Sequence, residues 1–343
     1  MPSFRNPLRL AVAALALLAS LASSGAAPVL RNDIEAFIEE MGRKHAYETG
    51  PLRRLFAQVQ TRPSILRAMA TPGTARPWYE FRRRNVEGRI EPGARFWAEN
   101  SAALERAARE FGVPEELIVA TVGIETLYGR NMGSFKVLDA LSTLAFDYPP
   151  RAEFFRGELE QYLLLVRDTG LDAATRGSYA GAIGIPQFIP SSYRKYAIDF
   201  DGDGRIDLVR SPADAIGSVA NYYRSFGWKT GAPVVVPVDP GAVDIAPLVA
   251  AGIKPHTRVS ELKTRGLIMQ APVDEDAEVT VFSVETESGP RVMLGLNNFY
   301  VITRYNRSIN YAMAVNELAR EIKAAVGARS AAARTRSALT SSR

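Results

Sequence analysis

Chemistry in this chain has to be sought among carboxylates, hydroxyls and amides. There is no cysteine, and His45 and His256 are the only histidines. A thiolate nucleophile and a disulfide are excluded, and a histidine-rich zinc site or a serine–histidine–acid triad lacks material. The leading candidate is Glu125. Pro114, Glu115 and Glu116 make a good first helical turn, because proline has no amide to leave unpaired there and acids favour the positive end of the helix dipole. A helix from this point should run to about Tyr128, where Gly129 can end it. Ile118, Thr121, Val122 and Glu125 then fall at i, i+3, i+4 and i+7, which puts a carboxylate on the buried stripe. Desolvation raises the pKa of such a group, the property a general acid needs near neutral pH. A structural glutamate paired with Arg130 or Arg151 fits the same position.

Three further segments hold chemistry-bearing residues. Gly181-Ala-Ile-Gly-Ile-Pro-Gln-Phe-Ile-Pro190 surrounds one polar side chain, Gln187, with small residues and prolines. It reads either as a tight loop or as a place where an amide meets sugar hydroxyl and acetamido groups. In Arg304-Tyr305-Asn306, the asparagine is a site residue or a turn and capping residue. Asp199, Asp201, Asp203, Gly204, the carbonyl of Arg205 and Asp207 match the first nine positions of an EF-hand calcium loop. Position twelve is Arg210, so no acid closes the cage there, and the next available carboxylate is Asp214. A structural calcium site is the expectation, against an Asp-Gly-rich surface turn.

The elements that must position these residues are mostly helical. Asn32 can cap a helix carrying Ile34, Phe37, Ile38 and Met41, and others are expected at Leu52 to Gln60, Ile65 to Ala70 and Phe96 to Phe111. Thr71 to Pro77 and Asn85 to Gly93 read as loops. Val234 to Val238, Val279 to Val284 and Arg291 to Leu296 read as strands of a small β-rich subdomain. A last helix carries Tyr311, Val315, Leu318 and Ile322, with Ser308 as its cap. At 343 residues the expected organisation is a helical region at 27–95, a core at 96–231 containing the loop 199–214, the β subdomain at 232–296 and a returning helical segment at 297–326.

The ends of the chain carry the charge. Arg5, Arg9, Arg329, Arg334, Arg336 and Arg343 outweigh the net charge of +5 and leave the body at −1, so a basic face for nucleic acid is not required. Arg5 and Arg9 precede the apolar run Leu10 to Leu21 and the small residues Ala22 to Ala27, the pattern of an export signal at 1–26. No later segment approaches membrane length. A periplasmic, non-lipidated protein is expected, attached to the membrane at most peripherally. Residues 327–343 are rich in Ala, Ser, Thr and Arg without a core pattern and read as a disordered basic tail.

Together, Glu125-Thr126, Gly184-Ile-Pro-Gln187 and Tyr305-Asn306 resemble the three signature motifs of the lytic transglycosylases. The longer stretches Val122 to Gly133, Leu138 to Phe146 and Gly181 to Tyr193 resemble the lytic murein transglycosylase B family, and the resemblance spans about Ile34 to Ile322. It implies a mainly α (α+β) fold with a lysozyme-like catalytic core. It also implies cleavage of peptidoglycan between N-acetylmuramic acid and N-acetylglucosamine, leaving a 1,6-anhydromuramoyl end, with Glu125 as the single acid and base. On the family pattern Ser178 and Gln187 contact the reacting sugar, Tyr305 and Asn306 position it, Tyr311 lines the cleft and Arg151 is the second of two cleft arginines. The first of that pair is Pro150 here. The metal ligands implied are Asp199, Asp201, Asp203, Arg205 and Asp214, holding calcium, and no organic cofactor is expected. Trp78, Tyr79, Phe81 and Trp97 offer faces for sugar stacking or for core packing. The glycan strand is the expected partner, and cell-wall synthases and divisome proteins are the protein partners such a role brings into view. The remaining alternatives are a hydrolytic muramidase and a non-catalytic peptidoglycan-binding protein.

Overall fold

The computed structural model describes residues 30–70 and 76–341, so the export signal and most of the expected Thr71 to Pro77 loop lie outside the described residues. The chain divides into two compact units at Gln58 and Val59. In the first, α1 (Asn32–His45) and α2 (Thr49–Phe56) pack together, with Phe37 edge-on to Phe56 at 5.8 Å. Arg31 rather than Asn32 occupies the cap position of α1, and no side chain caps it.

The second unit begins with α3 (Pro63–Ala70), α4 (Trp78–Asn85), α5 (Ile90–Glu99), α6 (Ser101–Phe111) and α7 (Glu115–Thr126). Next come β1 (Phe135–Lys136), α8 (Val137–Asp147), α9 (Ala152–Thr169), β2 (Arg176–Gly177), α10 (Pro190–Tyr196) and α11 (Pro212–Ser225). The helix expected over Phe96 to Phe111 is broken at Asn100, whose amide turns back to the carbonyl of Phe96 at 2.8 Å and competes with the helical ladder. The Asn85 to Gly93 segment is not a plain loop: it holds a short 3-10 turn, Glu87–Arg89, and the start of α5.

The β subdomain forms as expected and contains more than its three strands. β3 (Val235–Asp239), α12 (Ala246–Ala250), β4 (Thr257–Arg258), α13 (Val259–Arg265), β5 (Ile268–Met269), β6 (Glu278–Thr286) and β7 (Gly289–Gly295) build an antiparallel sheet in the order β4-β6-β7-β3-β5. Alternate residues on one face, Val236, Val281, Val292 and Leu294, pack with Leu248, Val259 and Leu262 into a separate apolar core. The chain then returns through α14 (Asn297–Tyr305) to α15 (Ile309–Ser341). Ser308 caps α15 as expected, accepting from the amide of Tyr311 at 3.3 Å. In the segment expected to be disordered from 327 onward, α15 is described as far as Ser341. Gly327 costs a helix interior about 1 kcal/mol, and the alanines and arginines around it are among the best helix formers.

Helix α7 is the axis of this unit. Every residue from Leu117 to Gly123 is buried, against α5, α6, α11 and α15, so the helix is enclosed all round rather than along one stripe. It ends at Thr126, before the glycine expected to stop it, because Leu127 (φ 52°) and Tyr128 (φ 62°) already take the left-handed conformation ahead of Gly129. That backbone costs about 1–2 kcal/mol per residue without glycine. Tyr128 is held there by a 2.7 Å bond from its hydroxyl to the carbonyl of Arg89, while Arg89 Nε donates to the carbonyl of Gly123 at 3.0 Å. The phenol lies against Gly93 and Gly123, where an added Cβ would come within 2.5 Å of its oxygen. Gly123→Ala is therefore expected to lower stability by about 1–3 kcal/mol through overpacking. Urea denaturation checks this, and an unchanged midpoint would contradict the close packing described.

Candidate active site

Glu125 stands on the last turn of α7, where the enclosed helix opens and its carboxylate is half-buried. Its Oε1 accepts a 2.5 Å hydrogen bond from the hydroxyl of Tyr311, on the first turn of α15. Burial pushes the carboxyl up to about 7, and the Tyr311 bond, which favours the ionised form, opposes that shift only in part. No ion pair among the described residues joins Glu125 to Arg130 or Arg151, so the structural-glutamate alternative is not what the fold builds. No second carboxylate among the described residues contributes to its shift.

Phenols surround this carboxyl. Tyr305 stacks on Tyr311 with ring centroids 6.4 Å apart, and its hydroxyl donates to the carbonyl of Pro186 at 2.5 Å. Burial raises the pKa of Tyr305 and Tyr311 first, and the negative charge of Glu125 raises both further. Tyr222 and Tyr223, on α11, feel the same charge and were not foreseen from sequence. Tyr222 donates to the carbonyl of Arg304 at 2.6 Å, and Tyr223 meets Thr121 Oγ1 at 2.8 Å. Their helical spacing carries only a core signal, since nothing local says which charged group the core will enclose.

The segment containing Gln187 is tied to α7 by Thr126, whose hydroxyl donates to the carbonyl of Ile185 at 2.8 Å and accepts the amide of Gly129 at 3.0 Å. Gly184 (φ 75°) brings its backbone against Leu208, where a Cβ would lie 2.4 Å from the carbonyl oxygen. Gln187 itself sits at φ 53° and spends its amide donors on Gly184 and Met132 carbonyls at 2.9 and 3.2 Å. Its oxygen has no donor among the described residues. Ser178 Oγ accepts the amides of Ala182 and Ala180 at 3.0 and 3.3 Å, leaving its proton to donate. Asn306 ends α14 in extended backbone and is exposed, with a side-chain amide unpartnered among the described residues.

Arg151 is not brought to Glu125 by any contact among the described residues. It is exposed at the cap position of α9, as the last residue of the 3-10 turn that holds Pro150, with its guanidinium 4.4 Å from the Phe154 ring and 5.0 Å from Phe155. Of the four candidate stacking residues, Trp78 and Phe81 are buried and stack on each other at 6.5 Å, and Trp97 hydrogen-bonds the carboxylate of Glu115.

In the acidic loop, the carboxylates of Asp199, Asp201 and Asp203 converge, each offering an oxygen within 4.8 Å of the others. Asp199 also accepts the amides of Gly202 and Gly204 at 2.7 and 2.8 Å, which orders the turn. Asp214 does not join that group. It is buried under the loop, with Oδ1 on the amide of Phe200 at 2.7 Å and Oδ2 on that of Asp207 at 2.8 Å. Both of its oxygens accept backbone amides, as both oxygens of Asp199 do.

A model of the transglycosylase SLT domain matches residues 30–320. The chain belongs to this family. It is 40% identical to membrane-bound lytic murein transglycosylase B of Escherichia coli over 300 residues, covering 84% of this chain and 82% of that one. The crystal structure of an Escherichia coli lytic transglycosylase in complex with calcium superposes with a TM-score of 0.80 at 40% identity, covering 86% of this chain and 94% of that one. That of Pseudomonas aeruginosa SltB3 in complex with NAG-anhNAM-pentapeptide gives 0.74 at 30% identity, over 84% and 78%. The fold is lysozyme-like and the chain is a lytic transglycosylase. In this transglycosylase burial holds the Glu125 carboxyl near neutral pKa.

Glu125→Gln keeps an acceptor for Tyr311 and removes the buried ionisable group. Because the folded pKa is raised from 4.5 to about 7, the native state holds this proton more tightly than the unfolded chain. The associated stability is complete below 4.5 and lost as pH rises through 7. The variant should match the parent at low pH and exceed it by up to about 3 kcal/mol above pH 7, as read by thermal unfolding across pH. A pH-independent difference would contradict the assigned burial.

Proposed function

We propose that this transglycosylase cleaves the β-1,4 bond between N-acetylmuramic acid and N-acetylglucosamine in peptidoglycan, in the periplasm, and leaves a 1,6-anhydromuramoyl end. The observation that carries this reading is one carboxyl of pKa about 7, hydrogen-bonded to Tyr311, with no second acid among the described residues contributing to its shift. Most glycosidases need two carboxylates, one as acid and one as base or nucleophile. A lone group can serve if the second nucleophile belongs to the substrate. Glu125 in its protonated form gives its proton to the departing glycosidic oxygen. The resulting carboxylate takes the proton of the muramoyl C6 hydroxyl as that oxygen attacks C1, which returns Glu125 to its starting state. The substrate's own acetamido oxygen stabilises the cationic centre between the two steps.

Ser178, Gln187 and Asn306 are the polar groups offered to the sugar. The hydroxyl proton of Ser178, the free oxygen of Gln187 and the exposed amide of Asn306 supply complementary donors and acceptors. Tyr305 and Tyr311 keep Glu125 in place, and Arg151 at the head of α9 contacts the substrate farther from the reacting bond. No helix among the described residues is long and apolar enough to cross a membrane. Digestion of purified sacculi, followed by mass analysis of the products, tests the reaction. The parent should release muropeptides lighter by one water and resistant to borohydride, and Glu125→Gln should lower the rate by at least about a hundredfold. Reducible, hydrated products would make the protein a muramidase.

The acidic loop fits a calcium ion, because three hard oxygen ligands already converge there. Asp199, Asp201, Asp203, the carbonyl of Arg205 and Asp214 would hold it, and Asp214 also fixes the backbone beneath. The ion would act structurally, by joining the loop's limbs. Calcium at about a hundred times its dissociation constant should stabilise the parent by about 2.7 kcal/mol, and Asp201→Asn should abolish most of that gain in thermal unfolding. Equal gains in both would remove Asp201 from the ligand set.

A further inference from the structure

A cleft of about 1010 Å³ opens between α4, α15 and the second face of the five-stranded sheet. The alternation that sends Val236, Val281, Val292 and Leu294 into the subdomain core turns Val284 and Met293 toward this cleft, where they form an apolar floor with Trp78 and Met313. On α15 the lining residues Met313, Asn316, Glu317 and Arg320 follow the spacing of one helix face. Tyr311, two residues before Met313, lies about 200° around that helix. The cleft is thus on the far side of α15 from the bond between Tyr311 and Glu125, and Glu125, Gln187 and Asn306 do not line it.

Its charges are unevenly used. Arg82 is committed to Glu317 at 3.1 Å and to Glu87 at 3.0 Å. Arg83 from α4, Arg291 from β7 and Arg320 from α15 are exposed and have no acidic partner among the described residues. Against these three cations stands one unpaired acid of the lining, Glu287 at the tip of the β6–β7 hairpin. The surplus of positive charge sits above an apolar floor, and guanidinium groups are suited to bidentate capture of carboxylates. Such a cleft matches an extended segment with an apolar body and at least two carboxylates. In peptidoglycan those features belong to the stem peptide rather than to the glycan.

We infer that this cleft binds a peptidoglycan stem peptide, with Arg83, Arg291 and Arg320 holding its carboxylates and the apolar floor taking its side-chain methyl groups. The inference rests on the peptidoglycan substrate proposed above. Because the cleft faces away from Glu125, the stem it takes is one other than that on the muramoyl residue being cleaved. The site therefore holds the enzyme on the wall while a separate stretch of glycan occupies the catalytic cleft.

The test uses the full chain, the free stem pentapeptide with its carboxylates intact, the same peptide as its carboxamide, and the triple variant Arg83→Gln, Arg291→Gln, Arg320→Gln. Isothermal titration should show binding of the acid peptide by the parent, weakened about tenfold or more in the carboxamide and in the triple variant. All three arginines are exposed, so thermal unfolding of the variant should match the parent. The variant should also cleave peptide-free glycan strands at the parental rate while digesting intact sacculi several-fold more slowly. Equal binding of acid and carboxamide, equal binding by parent and variant, or equal slowing on both substrates would overturn the assignment. Cleavage of peptide-free strands by the parent keeps this result separate from that of the catalytic proposal.

Discussion

The site depends on one half-buried carboxyl at the end of an enclosed helix. Apolar neighbours surround α7 from Leu117 to Gly123, and Glu125 stands on the turn where that enclosure opens. Desolvation of a carboxylate disfavours its charge, and the Tyr311 hydroxyl returns part of the lost solvation. The balance puts the group near pKa 7, where it can hold or release a proton at little cost. Tyr305 stacks on Tyr311 beside it, and the negative charge of Glu125 raises the pKa of both phenols further.

Placing that carboxyl requires the chain to leave α7 abruptly. Leu127 and Tyr128 adopt left-handed backbone, and Tyr128 is held by packing against Gly93 and Gly123 and by its bond to Arg89. Thr126 then links the helix end to the Gln187 segment, so the two motifs meet through a side chain rather than through sequence proximity. The local strain is offset by these contacts, which is how a functional site can keep unusual backbone. The acidic loop follows the same logic: Asp214 anchors the backbone from below, and loop amides hold the three convergent aspartates in place.

Much of the fold was legible in the chain. Long helices and the main strands came from periodicity, and the β-rich character after Gly231 came from its β-branched runs. The two-residue strands β4 and β5 and the short helices α12 and α13 carry too few residues to show a period. The break at Asn100 and the persistence of α15 past Gly327 depend on one side-chain bond and on summed helix propensity, which a pattern of apolar residues does not record. Glu125 was found from a stripe, whereas the fold encloses the helix all round from Leu117 to Gly123 and leaves Glu125 half-buried at its end. The candidate stood because the motif identified it, while the stripe was a weaker guide than it looked.

The sequence by itself determined the chemical repertoire: without cysteine and with two histidines, the reaction had to use carboxylates, hydroxyls and amides, and the motifs around Glu125, Gln187 and Asn306 marked the family. It also determined the spacing of the aspartates in the loop, because alternating residues in a glycine-bearing turn converge through local geometry alone. Only the tertiary structure decided that Tyr311 rather than an arginine faces Glu125, that Tyr222 and Tyr223 join its surroundings, and that Asp214 serves the backbone. Tyr222, Tyr223 and Tyr311 lie roughly a hundred to nearly two hundred residues from Glu125. Hydrogen bonds and desolvation act through space, so the pKa of Glu125 becomes defined only when α7, α11, α14 and α15 have closed around it.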